Sequence, residues 1–189
     1  MRERIARSMT MFFRFFADML FKQNYAKRAL ILETVAGVPG MVGGMLTHLR
    51  SLRKMERGNG SKIHELLAEA ENERKHLMFM MEIVKPNVFE RILVVFIQFI
   101  FWHYYLIMYI LSPKLAHKMT ACFEEEAVRS YDKYLELIRK GVIDDTTLAP
   151  QIAIEYYNMR PDATLYDMLV CIRNDEQKHA EVNHKYAEE

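Results

Sequence analysis

A chain of 189 residues that is 51% hydrophobic is long enough to bury a full core, and with only seven glycines and five prolines it is not a loop-rich or disordered polypeptide. A formal net charge of +1 excludes a global pull toward nucleic acid, and two cysteines exclude a disulfide framework. The expectation is one all-α domain over residues 1–189, built of long helices with short breaks and binding no nucleic acid.

In chain order, Glu3 to Phe21 set Phe12, Phe13, Phe15, Phe16, Met19 and Leu20 among arginines, which predicts an amphipathic helix able to lie in a bilayer interface. Basic residues crowd this region (Arg2, Arg4, Arg7, Arg14, Lys22, Lys27 and Arg28), as suits an anionic membrane surface and, equally, an ordinary solvated face. Glu3 and Asp18 fit badly in an organelle presequence, and no cleavable signal peptide is read here. The next helix carries Glu33 on one face with Ala29, Leu30, Ala36 and Gly37, where a carboxylate is costly unless paired or metal-bound. Pro39 predicts a kink, and Gly37, Gly40 and Gly44 predict close packing on another helix.

Arg57-Gly58-Asn59-Gly60-Ser61 is a turn, with Ser61 as the expected cap of a helix running to about Val84. On that helix Leu66, Ala70, Glu73, Leu77 and Met80 form one face with His76 beside it, while Glu69 repels Glu73 unless one of them is protonated or metal-bound. From Ile92 to Leu111 the chain is almost wholly apolar, and at ~1.5 Å per residue it reaches roughly 30 Å, enough to cross a bilayer. A true span would separate Glu73 from Glu124, so a crossover helix lying in one leaflet is the favoured reading over a span.

After Ser112-Pro113 a helix runs to about Arg139. On it Glu124 shares an apolar stripe with Ala121, Val128 and Tyr131, whereas Glu125 is expected in solvent and Glu126 is intermediate. Residues 140–145 read as a turn, Leu148 to Tyr157 as a short helix, and Thr164-x-x-Asp167 as a capping box for the last helix. That helix lines up Leu169, Ile172, Glu176, His179 and Asn183 on one side. Cys122 and Cys171 read as small buried core residues.

Two Glu-x-x-His pairs therefore stand out, Glu73 with His76 and Glu176 with His179, each preceded by another core-facing glutamate, Glu33 or Glu124. Residues three apart share a helix face, and this order builds the di-iron carboxylate site of ferritin-like four-helix bundles. Oxygen donors with imidazole suit two iron ions. Asn72 and Asp175, each just before a motif glutamate, would support the ligands from behind or else be exposed helix positions. Tyr131, seven residues after Glu124, would be either a core tyrosine or a redox-active neighbour of the metals.

Leu32-Glu33-Thr34, Asn72 to Leu77, Phe123 to Ala127 and Arg173 to His179 resemble the four motifs of the alternative oxidases, and Val35 to Gly44 and Val182-Asn183-His184 resemble that family too. The resemblance implies a homodimeric, di-iron ubiquinol oxidase attached to one leaflet of the mitochondrial inner membrane on its matrix side. Such an enzyme reduces O2 to water without pumping protons and is insensitive to cyanide. By position it makes Glu33, Glu73, His76, Glu124, Glu176 and His179 metal ligands, with the histidine bonds loose or indirect. It makes Tyr131 catalytic, and places Arg28, Leu32, Glu126, Ala127 and Ser130 around quinol. Departures from the family pattern are Lys75 for Met, Phe123 for Leu, Asn174 for Ala and Tyr157 for Trp, of which Phe123 and Tyr157 bear on the pocket. The rival readings are a di-iron quinone hydroxylase, a plastid quinol oxidase, and a non-enzymatic iron-storage or structural bundle.

Overall fold

In the computed structural model, residues 2–21, 24–144 and 146–189 are described. Lys22 of the basic stretch and Asp145 of the predicted turn lie outside them. The described residues form eight helices: α1 (Arg2–Phe21), α2 (Tyr25–Ala36), α3 (Val38–Lys54), α4 (Gly60–Ile83), α5 (Val88–Leu111), α6 (Pro113–Arg139), α7 (Gln151–Tyr157) and α8 (Leu165–Glu188). The only β pairing among them is an isolated bridge between Leu148 and Thr164.

Local chemistry sets most helix ends. Asn24 caps α2, Ser112 caps α6 with Pro113 at its first position, and full capping boxes open α5 (Asn87 with Glu90) and α8 (Thr164 with Asp167). Three boundaries differ from expectation. The break between α2 and α3 falls at Gly37, not Pro39, because the proline ring excludes the carbonyl four residues back and so starts a new helix instead of bending an old one. Asn59, not Ser61, precedes α4, and its side chain makes no capping bond. Helix α7 begins only at Gln151, since Leu148 is drawn into its bridge with Thr164 and Pro150 precedes the first turn.

Four helices surround the centre of the molecule, with α2 packed on α4 and α6 along α8, while α3, which continues α2, also packs on α4. Leu135 and Ile138 of α6 and Leu165, Met168, Leu169 and Ile172 of α8 are buried together, each side chain contributing about 1.5–3 kcal/mol. Helix α3 approaches α4 so closely that a β-carbon on Gly40 would sit 2.4 Å from the Leu66 carbonyl oxygen, which bears out the expected close packing. Outside this frame α1 lies on α6, and α5 lies against α3, α6 and α2, anchored by the buried Tyr105 and Tyr109. The rest of α5 is largely exposed, as are Phe12, Phe15, Phe16, Met19 and Leu20 of α1. Rings of the two helices meet edge-on, Phe13 against Phe101 and Tyr104 with centroids 5.8 Å apart.

Candidate metal centre

Each helix of the central four delivers its carboxylate from the middle of an apolar stripe. Glu33 comes from α2, Glu73 and His76 from α4, Glu124 from α6, and Glu176 and His179 from α8, and all six are buried. The structure brings them into two overlapping groups whose donor atoms lie within 4.8 Å of one another. One group is Glu33, Glu73, His76 and Glu176; the other is Glu73, Glu124, Glu176 and His179. Glu73 and Glu176 belong to both, the arrangement of carboxylates shared between two ions.

His76 Nδ1 stands 3.1 Å from Glu176 Oε1 and 3.5 Å from Glu73 Oε2, and His179 Nδ1 stands 2.7 Å from Glu73 Oε1. None of these contacts is aligned as a hydrogen bond. Six buried donor atoms consequently lack a partner: Glu33 Oε2, both oxygens of Glu73, Glu176 Oε1 and Nδ1 of each histidine. Leaving a buried polar atom unpaired costs about 1–3 kcal/mol, more for an ion, so a cluster of them aimed at one space needs an occupant. Metal cations at two adjacent positions would give these six atoms partners, and hard oxygen with imidazole suits iron.

The electrostatics carry the same demand. Burial, then the charges of Glu73 and Glu176, push Glu33 well above the ordinary carboxylate range. Burial, then Glu176 and Glu73, raise Glu124 likewise. Burial would also raise Glu73, but His179 and His76 outweigh it and hold Glu73 well below that range. Burial opposes protonation of His179, yet the Glu73 charge lifts it to about 9. Four carboxylates against two imidazoles leave excess negative charge in a dry space, and bound cations reverse that balance.

The remaining expected residues fall around this cluster. Tyr131 is buried and donates to Glu33 Oε1 at 2.5 Å, with its own proton held tightly by burial and the Glu33 charge. Asn72 and Asp175 are not solvated helix positions: Asn72 Nδ2 donates to Tyr156 OH at 2.9 Å and to Asp175 Oδ2 at 3.3 Å, and Asp175 stands behind His76. A cavity of about 320 Å³ opens beside the centre between α1, α2, α5 and α6, and Arg28, Leu32, Glu126, Ala127 and Ser130 all line it. Glu33, Glu124 and Glu176 also line it, so it reaches the carboxylate cluster.

Several partners were not foreseen. Arg14 pairs with Glu126, 112 residues away, at the cavity, and Asp18 pairs with Arg28 of the next helix, contacts whose only sequence signal is an arginine and an aspartate on the apolar helix α1. Glu125 is not free in solvent. It is half-buried under α1 and the end of α8, with Oε1 2.7 Å from His184 Nε2 and Oε2 3.2 Å from Arg7. Glu69 relieves its repulsion from Glu73 by becoming a weak acid: burial pushes it up to about 7, and both its oxygens accept from Asn183 Nδ2 at 2.8 and 3.0 Å. Cys122 is buried as expected, Cys171 only partly.

A four-helix bundle with two carboxylates shared between adjacent cation positions defines a helical di-iron carboxylate protein. Residues 1–188 match the family described as Alternative oxidase, and the chain belongs to that family. Similar proteins include "Ubiquinol oxidase 2, mitochondrial" of Glycine max, 52% identical over 88% of this chain and 50% of that protein. "Ubiquinol oxidase, mitochondrial" of Batrachochytrium dendrobatidis is 49% identical over 94% and 55%, and "Ubiquinol oxidase 1c, mitochondrial" of Arabidopsis thaliana 48% over 96% and 55%. The chain spans about half the length of the curated relatives it matches.

Proposed function

We propose that the protein is a di-iron ubiquinol oxidase that passes electrons from ubiquinol to dioxygen, forms water, pumps no protons and resists cyanide. The single observation that carries this reading is the apolar cavity that ends on the paired-carboxylate centre, with Tyr131 at their junction. Iron storage needs no such cavity, and the relatives named above are ubiquinol oxidases.

In this reading Glu33, Glu73, His76, Glu124, Glu176 and His179 hold two iron ions, which supply the redox capacity to move electrons from quinol to dioxygen. Arg28, Leu32, Glu126, Ala127 and Ser130 hold the quinol ring. Arg28 Nε and Thr10 Oγ1 are buried in the cavity wall without partners, which gives a ring oxygen two unused donors. Tyr131 serves as a catalytic proton donor and acceptor at Glu33, while Asn72 and Asp175 steady His76 from behind. Two quinols release four electrons and four protons, the number that dioxygen needs to become two waters, so no proton need be drawn from bulk.

We also place the protein, as a single domain over residues 1–189, on the matrix side of the mitochondrial inner membrane, attached to one leaflet. The adjoining apolar faces of α1 and α5 support this attachment, because α5 lies along the bundle instead of projecting from it. A homodimer is proposed as well, supported by a second exposed apolar face on α3 at Met41, Met45, Leu49 and Leu52.

Oxygen uptake by the iron-loaded protein with a short-chain ubiquinol tests the reading. Cyanide-resistant uptake yielding quinone and water is expected, and Glu176→Ala should lose both iron and uptake. Hydroxylated quinone as the product, or no uptake with two irons bound, would remove the oxidase reading.

A further inference from the structure

The phenol of Tyr157 lies between a histidine of the metal centre and a half-buried carboxylate. The hydroxyl is 3.1 Å from His76 Nε2 and donates to Asp175 Oδ2 at 2.9 Å. Asp175 accepts on both oxygens, from Lys178 Nζ at 2.9 Å on Oδ1 and from Asn72 Nδ2 at 3.3 Å on Oδ2. A carboxylate surrounded by three donors has no proton to offer, so the single phenol proton belongs to Asp175. The phenol oxygen is left as an acceptor on the side of His76, and only an N–H at Nε2 can use it.

A neutral imidazole protonated at Nε2 carries its lone pair on Nδ1. That atom faces Glu176 Oε1, Glu73 Oε2 and Glu33 Oε2 at 3.1, 3.5 and 3.7 Å and has no hydrogen-bond partner. We propose that Tyr157, oriented by Asp175, is a positioning residue that keeps His76 in the Nε2–H tautomer with a bare Nδ1 toward the metal centre, an inference that rests on the metal-centre reading above. An indole would behave differently. It donates to Asp175 but accepts nothing, so His76 would have to reach the carboxylate directly across the 3.6 Å that now separates Nε2 from Oδ2. The phenol makes the support of His76 a two-step relay in this chain.

The test uses the purified chain in detergent, labelled with 15N-histidine and loaded with two equivalents of Zn(II), a diamagnetic stand-in for iron. Zinc stoichiometry is read first: fewer than two ions bound would remove the metal-centre reading and this inference together. With two bound, the tautomer is read on the same chain before zinc is added, at a pH where the ring is neutral, because zinc at Nδ1 would itself fix the proton on Nε2. There His76 should show a protonated Nε2 and an unprotonated Nδ1 in its nitrogen shifts. Asp175→Asn keeps the shape but reverses the relay. Lys178 holds the amide oxygen on its own side, the amide N–H group faces Tyr157, and the phenol proton turns to His76 Nε2. His76 should then switch to the Nδ1–H tautomer, with zinc affinity reduced by about 10–100-fold. Metal-free Tyr157→Phe should show His76 as a mixture of tautomers, and this variant alone decides the test if the asparagine variant does not fold. Two zinc ions bound at unchanged affinity, with an unchanged metal-free His76 spectrum in the variants, would overturn the positioning role while leaving the metal centre intact.

Discussion

Tyr131 and Tyr157 are both phenols beside the carboxylate cluster, yet their surroundings assign them different work. Tyr131 is inside the cavity wall with Glu33 as its acceptor, so its hydroxyl lies between the cavity and the carboxylate cluster. Tyr157 is on the far side of His76 and has no access to the cavity lining. On the proposed function, removing the hydroxyl of Tyr131 deletes one proton-transfer group and leaves the carboxylates in place. Tyr131→Phe is therefore expected to keep its iron and lose roughly 100-fold or more in turnover, within the range typical of a positioned acid–base group. Iron content and oxygen uptake on the same sample check this, and unimpaired uptake would return Tyr131 to the role of a packed core residue. Helical phase alone put Tyr131 on the Glu124 stripe, but its partner Glu33 lies 98 residues away and only the fold brings the two together.

At the scale of elements, the α3–α4 contact shows how small residues place ligands. Gly40 lets α3 rest on the backbone of α4 at Leu66, two turns before Glu73, while Gly37 lies beside Ala70. An added methyl at Gly40 meets a carbonyl that cannot swing away. Gly40→Ala should cost about 2 kcal/mol and lower Tm by about 4–8 °C. The control is Gly60→Ala at the start of α4, where nothing lies within 4 Å, and there Tm should hold or rise. Thermal melts of the two variants decide it; equal Tm values would mean that α3 and α4 can part without cost. The helix start at Thr164 and Asp167 was legible because its capping side chains stand in the sequence, whereas the start at Asn59, whose side chain makes no cap, was not. The same limit explains Glu125. Its own helix offers it to solvent, and a different helix, α1, covers it.

For the whole molecule, the exposed apolar area is concentrated on α1 and α5, and their rings touch. Burying such a face in one leaflet keeps Glu73 and Glu124 on the same side of the bilayer, as a shared centre requires. Carbonate extraction is expected to leave the protein in the membrane, and protease protection should find both flanks of α5, near Pro86 and Ser112, on one side. Flanks on opposite sides would mean a true span, and the four-helix bundle around the carboxylates could not then form.

The periodicity of the chain by itself determined an all-helical protein, the two Glu-x-x-His pairs, and the choice of Glu124 over its neighbours, because a helix face is set by local spacing. It did not determine that Glu73 and Glu176 fall in both ligand groups, that Arg14 pairs with Glu126 and Asp18 with Arg28, or that Asn183 donates to both oxygens of Glu69. Those contacts join residues roughly 10 to 114 positions apart. Their distances depend on how helices pack, and packing is decided by the burial of whole faces against one another, which no single stretch of sequence contains.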